Sequence, residues 1–387
     1  MNGDKIRVLL DVRWPAFPVA STQQLDAAGL DERVLTAAVR PGTILRLRRG
    51  AYVRNADWKR AEPWTRDALR IQAHFLSTGG ACRYSHISAA RLHECHVWDA
   101  GPMIHVTTDY ANSTNSAGTD VRTHRMDLQP VDVTTLWSMG GKEILTTGIE
   151  RTVLDCARIL PLEQAAVIGD HALRKGAGID SMRQLLDVGP VKRGNRRALD
   201  LLAALDGRSE SVGETRTRLL RSFDLHMFIP QFEIQTPSGQ FRADFADPLT
   251  RIVIEFDGSG KYTDYGPTED VLLAERRREN ALIEEGWLVL RLEWKHLAYP
   301  AEVRRRSRGR LQVPGGDVEH AAQRLGGAPE QLVAHGEGAD VLRAHFHLAD
   351  AAHGDVQGAG RSHGGQARHG VFLGVRDDLG PLVVLGE

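Results

Sequence analysis

Arg242-Ala243-Asp244-Phe245 and Arg251-Ile252-Val253-Ile254-Glu255-Phe256-Asp257, joined by a turn at Asp247-Pro248, decide how the later half of this chain folds. Phe241, Ala243 and Phe245 alternate with polar neighbours, which predicts a strand with Asp244 on its opposite face. The second run is rich in β-branched residues, with Ile252, Ile254 and Phe256 on one face and Val253, Glu255 and Asp257 on the other. Gly258 and Gly260 end it, and Lys261 lies in the turn that follows. Working outward, Phe232 and Ile234 alternate ahead of Pro237-Ser238-Gly239, so a hairpin precedes the 251–257 strand. Beyond it, Leu272, Leu273, Arg276, Asn280 and Ile283 keep helical spacing up to Gly286, a C-terminal cap, and Trp287 to Leu292 reads as another strand, followed by Glu293-Trp294-Lys295. Upstream, Glu214 to Phe223 reads as an amphipathic helix through Leu219, Leu220 and Phe223. The order helix, three strands, helix, strand suits a mixed sheet with helices packed on it, an α/β (α+β) arrangement.

This pattern gathers Asp244, Glu255, Asp257 and Lys261 around the ends of two strands. Desolvating several carboxylates together is costly unless a cation compensates them. Hard oxygen donors suit Mg²⁺ or Mn²⁺, and the set lacks the Cys and His ligands that zinc usually takes. Phosphodiester hydrolysis calls for such a set, because water activation and charge neutralisation must add to what acid–base help supplies. The competing reading is that these acids cap turns and solvate a strand edge.

Residues from about Glu214 to Leu297 resemble the Vsr-related (very-short-patch-repair-related) endonuclease-like domain of unknown function found in actinobacterial proteins, a branch of the PD-(D/E)XK restriction-endonuclease-like superfamily. The matching stretches are Arg242-Ala243-Asp244-Phe245, Ile254-Glu255-Phe256-Asp257-Gly258 with Lys261-Tyr262, Glu275-Arg276-Arg277-Arg278, and Gly286-Trp287-Leu288-Val289-Leu290-Arg291. The resemblance implies that Asp244 and Glu255 bind metal with Glu214 joining the shell, and that Asp257 assists catalysis. The superfamily's E-x-K is Glu255-Phe256-Asp257 here, which leaves Lys261 as the substitute for its lysine.

The first residues have another character. Ser21 caps a helix through Gln24 and Leu25, Gly29 turns the chain, and Asp31 starts a second helix carrying Val34, Leu35 and Val39, which is helix-turn-helix spacing. Ile44 to Val53 reads as a hairpin wing, and Arg40, Arg46, Arg48, Arg49 and Arg54 make a basic patch suited to DNA phosphates on a chain of net charge −1. A small structural or protein-binding winged helix is the competing reading. Residues from about Pro18 to Val53 resemble the winged-helix start of the type IV abortive-infection antitoxin family, AbiEi. Ser85-His86-Ile87-Ser88-Ala89-Ala90 with His93, His105-Val106-Thr107, and Thr146 to Asp155 resemble that family's second region. That resemblance implies operator DNA as a partner, with a cognate toxin as a second. Cys82, His86, His93, Cys95 and His96 crowd together without zinc-site spacing, so a hydrogen-bonded core His86 is expected instead. Arg151-Thr152 to Asp155 is expected to begin a packed helix, with Val153, Leu154 and Ile159 inward and Arg151 salt-bridged.

At 387 residues, 42% hydrophobic and 26% charged, the chain has length for two or three domains with real cores. The expected division is a winged helix over 1–58, an antitoxin-like α/β region over 59–205, an endonuclease-like domain over 206–310 and a low-complexity tail over 311–387. No apolar run approaches membrane-helix length, no signal sequence opens the chain, and three scattered cysteines suit a reducing cytoplasm. Arg304, Arg305, Arg306, Arg308 and Arg310 form a second basic cluster, read as a solvated run or a phosphate-contacting arm. From Leu311 the sequence lacks Lys, Ile, Asn, Thr, Tyr, Trp, Met and Cys, the bias that GC-rich codons read out of frame would give. A disordered, frameshifted tail is therefore expected. Two functional readings follow: a DNA-interacting protein with a Mg-dependent endonuclease-like domain in phage defence or DNA repair, or a non-catalytic antitoxin-like regulator with a degenerate nuclease fold.

Overall fold

The computed structural model describes residues 3–109, 119–139, 142–189, 193–220, 228–258, 269–299 and 303. Lys261, Phe223, the arginines from Arg304 to Arg310 and the tail from Leu311 lie outside the described residues. Helices and three sheets of parallel and antiparallel strands make the protein mixed α/β. Among the described residues, no helix is long and apolar enough to cross a membrane.

The chain begins with α1 (Gly3–Arg13), β1 (Val19–Ser21), α2 (Thr22–Ala27), α3 (Glu32–Val39), β2 (Ile44–Arg48) and β3 (Ala51–Arg54). Ser21 Oγ accepts from the Gln24 N–H while Gln24 Oε1 accepts from the Ser21 N–H, a reciprocal cap that starts α2. Asp31 Oδ1 accepts from the Val34 N–H and starts α3. Gly29 takes φ +77° in the turn between the two helices. The antiparallel sheet has order β1-β3-β2. Helix α1, which the sequence pattern did not foretell, contributes Ile6 and Leu10 to a core with Leu25, Leu30, Leu35 and Ile44.

Next come α4 (Asn55–Arg60), α5 (Pro63–Thr78), β4 (Arg83–Tyr84), α6 (His86–Leu92), β5 (Ile104–Thr108), β6 (Val121–Arg125), β7 (Val133–Met139) and β8 (Lys142–Thr147). The helices α7 (Ile149–Ile159), α8 (Leu162–Arg174), α9 (Ile179–Val188) and α10 (Asn195–Leu202) follow. The sheet runs β6-β5-β4-β8-β7, parallel between β5 and β6 and between β4 and β8. Val153 and Leu154 of α7 are buried against Ala166 and Ile168 of α8, Met182 of α9 and Leu201 of α10, while Ile159 is only half-buried. Arg151 bonds Asp155 at 3.0 Å and Asp132 at 3.0 Å, so the α7 residues expected to be packed and ion-paired are so.

The last set is α11 (Val212–Arg218), β9 (Ile229–Thr236), β10 (Gly239–Asp247), β11 (Ile252–Phe256), α12 (Glu269–Glu284), β12 (Leu288–Leu292) and α13 (Trp294–Leu297). The sheet order is β12-β11-β10-β9, with only β11 and β12 parallel. Thr236 pairs with Gly239, so Pro237-Ser238 is a two-residue hairpin turn, and Gly239 takes φ +137°. Three details differ from the sequence reading. Helix α11 begins before Glu214, where Ser211 Oγ accepts the Glu214 N–H, and stops at Arg218. Strand β11 stops at Phe256, so Asp257 lies just past it, its N–H donated to Leu292 O at 2.7 Å. On α12 the spaced residues Leu273 and Ile283 are exposed, and Ala281 and Leu282 are the ones buried, Leu282 against Ile234 and Val253.

Candidate functional site

The β10–β11 ladder closes at the pair Phe245↔Ile254. One residue beyond that pair on each strand stand Asp244 and Glu255, where the strands part. There Asp244 Oδ2, not a backbone carbonyl, accepts the Phe256 N–H at 2.8 Å. Glu214 comes in from α11, only 6% exposed. Its Oε2 accepts from Gln231 Nε2 and from the Glu210 N–H, both at 2.8 Å. Gln231 sits on β9 between the pairs Ala243↔Phe232 and Phe245↔Pro230, across from Asp244, and takes φ +55°. Burial pushes the Asp244 carboxyl up to about 6; the Phe256 N–H bond opposes that rise, and the negative charges of Glu214 and Glu255 add to it.

Glu255 is held differently. Its Oε1 accepts from Arg278 of α12 at 2.6 Å, and its Oε2 lies 3.6 Å from Arg291 of β12. The parallel register Glu255↔Arg291 sets the second contact. Arg278 also donates to Arg242 O, and Arg291 is shared with Glu275 at 2.6 Å and Glu279 at 3.3 Å. Guanidinium groups thus balance the Glu255 side of the cluster; among the described residues Asp244 and Glu214 form no direct ion pair, and Arg278 only partly offsets the rise of Asp244.

The structure therefore brings Asp244, Glu255 and Glu214 to one end of the sheet, though not with all three offering ligand oxygens within 4.8 Å of one another, and puts Asp257 just past the end of β11; Lys261 lies outside the described residues. Hard oxygen donors on two diverging strands fit Mg²⁺ or Mn²⁺ in kind, although Arg278 already occupies one Glu255 oxygen. Gln231, Arg278 and Arg291 went unassigned in the sequence. The Arg291 position follows once β12 is paired in parallel with β11, but the reach of Arg278 from α12 has no sequence signal beyond its place in the Glu275 to Arg278 stretch.

The basic patch is partly used internally. Arg48 pairs with Asp120 at 2.6 Å and Arg54 with Asp57 at 2.5 Å, both acids remote from or beyond the run itself. Arg40, Arg46 and Arg49 are exposed, and no ion pair engages them among the described residues.

The Cys82 to His96 crowd disperses. His93 Nε2 bonds Thr147 O at 2.7 Å, and His96 stacks on His171 with ring centroids 3.8 Å apart and donates its N–H to His171 Nδ1. Cys82, Cys95 and Cys156 are free thiols. His86 instead meets His105 and His124, and these three have ligand nitrogens within 4.8 Å of one another. Among the described residues this is the one such cluster of three His, Cys, Asp or Glu side chains.

No family model matches the chain. No curated protein matches it. Among solved structures, the crystal structure of the RV2827C protein from Mycobacterium tuberculosis is similar at 13% identity and a TM-score of 0.35, over 55% of this chain and 79% of that one. That likeness is too slight to carry an argument.

Proposed function

We propose that this chain is a cytoplasmic DNA-interacting protein whose β10–β11 junction is a Mg-dependent endonuclease-like site of the PD-(D/E)XK kind, joined to an antitoxin-like winged helix. The observation that carries the reading is the placing of Asp244 and Glu255 where their strands part, with buried Glu214 nearby and the Asp244 carboxyl raised by burial, with a smaller contribution from the charges of Glu214 and Glu255. Asp244 and Glu255 would hold the ion, with Glu214 supporting the shell. A bound Mg²⁺ would supply water activation and neutralisation of phosphate charge. In this reading Asp257 orients the attacking water, Lys261 stands in for the absent E-x-K lysine, and Arg40, Arg46 and Arg49 supply phosphate contacts on the winged helix. DNA is the expected partner, a cognate toxin the second, and a reducing cytoplasm agrees with the free thiols.

Incubating supercoiled plasmid with the protein and Mg²⁺ tests this. The expected result is nicking or linearisation that EDTA stops and that Asp244→Ala and Glu255→Ala each reduce by at least ~100-fold, the scale of losing a transition-state charge partner. Equal cutting by those variants refutes the assignment.

A second reading draws on the Arg278–Glu255 ion pair at 2.6 Å, a protein-borne cation where an active site would keep Glu255 for metal. In that reading the sheet is a degenerate nuclease fold in a non-catalytic transcriptional regulator. Operator binding that is independent of Mg²⁺, with no cleavage of duplex, mismatched or single-stranded DNA, would favour it.

A further inference from the structure

His86, His105 and His124 come from three different elements, and the two acidic functional readings use none of them. Ser85 follows β4 and precedes α6, its N–H donated to His105 O at 3.1 Å, and His86 starts α6 with φ +49°, the left-handed region that side-chain-bearing residues rarely enter. His105 lies on β5 and His124 on β6, one strand further out. His86 and His105 are each 2% exposed, while His124 is half-buried.

Their ring nitrogens converge. His105 Nδ1 lies 2.9 Å from His124 Nε2, and the His86 ring stacks on that of His124 with centroids 3.6 Å apart. His86 Nδ1 lies 2.9 Å from Ser85 Oγ, which itself accepts from Thr107 Oγ1 at 2.8 Å. With Nδ1–H donated to Ser85, the Nε2 lone pair of His86 is left free, the outer-shell arrangement that fixes a metal-ligating imidazole. Ser88 Oγ accepts the His105 N–H at 2.8 Å and holds that strand residue in place.

We propose that His86, His105 and His124 form a three-imidazole site for one divalent transition ion of the Zn²⁺ class, with a fourth position open to water or an anion. Imidazole donors select borderline ions such as Zn²⁺ over the Mg²⁺ that carboxylates prefer. Tetrahedral Zn–N bonds of about 2.0–2.1 Å put ligand nitrogens about 3.3–3.4 Å apart. The His105–His124 pair therefore opens by roughly half an ångström to admit the ion. The His86 ring slides off its stack on His124 as Nε2 turns inward. One of the two nitrogens in the His105–His124 contact carries the shared proton, and a tautomer shift moves it to the ring's other nitrogen when the ion enters. Nearby Arg151 and Arg158 are balanced by Asp132 and Asp155. Arg122, which also presses on His105 and His124, favours an anion in the fourth position.

Co²⁺ titration of the metal-stripped full-length protein tests the site. The expected result is one equivalent bound with the visible absorption of four-coordinate Co²⁺, displaced by Zn²⁺. His124→Gln, at the half-buried position, should weaken uptake by at least ~100-fold, more than loss of an outer-shell partner costs. The intense visible absorption of four-coordinate Co²⁺, which an octahedral carboxylate site does not give, separates this site from the acidic one and from any plasmid-cutting result. X-ray absorption of the Zn²⁺ form of the wild type should show imidazole scattering from three histidines, a readout independent of how a variant folds. Absence of stoichiometric uptake, unchanged uptake by both His124→Gln and His105→Gln, or fewer than three imidazoles on the ion would each overturn the proposal.

Discussion

Asp244 shows how one side chain can stand between folding and chemistry. Its carboxyl is raised from 3.8 to about 6, first by burial, while Phe256 N–H pulls the other way. A carboxyl whose folded value lies above its unfolded value adds stability in its protonated form, fully present below the unfolded value and lost as pH rises through about 6. At pH 7.5 the ionised group therefore burdens the fold by up to roughly 3 kcal/mol. Asp244→Asn keeps an oxygen for the Phe256 N–H and removes the charge. In urea melts at pH 7.5 the variant should be more stable than wild type by about 1–3 kcal/mol, with the gap closing below pH 4. Added Mg²⁺ should narrow the gap by stabilising wild type alone, if the acidic site takes the ion. A variant equal to or weaker than wild type at pH 7.5 would show that burial does not burden the ionised carboxyl. Strand alternation made the position of Asp244 legible in the sequence. The cations that balance Glu255 were not legible, because Arg278 and Arg291 reach it through a helix packing and a parallel pairing that no local pattern encodes.

Among elements, the seat of α11 on β11 decides whether Glu214 can belong to the site at all. A Cβ on Gly213 would run into the ring of Phe256, so the glycine is what lets the helix approach the strand with Glu214 next along it. Gly213→Ala should therefore destabilise by about 1–3 kcal/mol through overpacking, despite alanine's better helix propensity. Phe256→Leu in the same chain should recover part of that loss, measured as a coupling in a double-mutant cycle; additive losses would mean that the two residues do not press on each other. Elements with chemical punctuation were readable: the Ser21 and Asp31 caps, the Pro237-Ser238 turn and the alternation of β10 and β11 all fell where sequence put them. The sheet β6-β5-β4-β8-β7 was not readable, since its two-residue strand β4 carries no periodicity and its order depends on pairings between remote segments. The buried side of α12 was missed for a related reason: the helix is mostly polar, and the packing falls to Leu282 with small Ala281, outside the spacing of Leu272, Leu273 and Ile283 that the sequence advertises.

Across the whole molecule, the near-zero net charge conceals an uneven distribution of titrating groups. Exposed Arg40, Arg46 and Arg49 lie at the end of α3 and on the β2–β3 hairpin, carboxylates gather at the β10–β11 junction, and histidines with lowered pKa lie in the region between them in sequence. That third group controls how the protein meets acid. Burial lowers His74, His124 and His171 to about 4, His105 to about 3, and His86 well below its ordinary value of 6.5. A histidine depressed in the folded state contributes stability that is full above the unfolded value, near 6.5, and is lost as pH falls toward the folded value. Each proton taken up on unfolding steepens the loss by about 1.4 kcal/mol per pH unit. Asp244 works against this between about pH 6 and pH 4, as do the raised carboxyls of Asp155 and Asp170, but His93 and His96 are also lowered and the histidines outnumber the acids. Urea-unfolding free energies measured from pH 8 to pH 5 should therefore be level above pH 7 and fall with a slope of more than one proton below pH 6.5. Replacing His171, which stacks on His96 and makes no contact with the three-imidazole cluster, by Gln should flatten that slope by up to one proton. A profile that stays level to pH 5 would mean that these rings are protonated in the folded protein, and with it the buried imidazole cluster would lose its neutral donors.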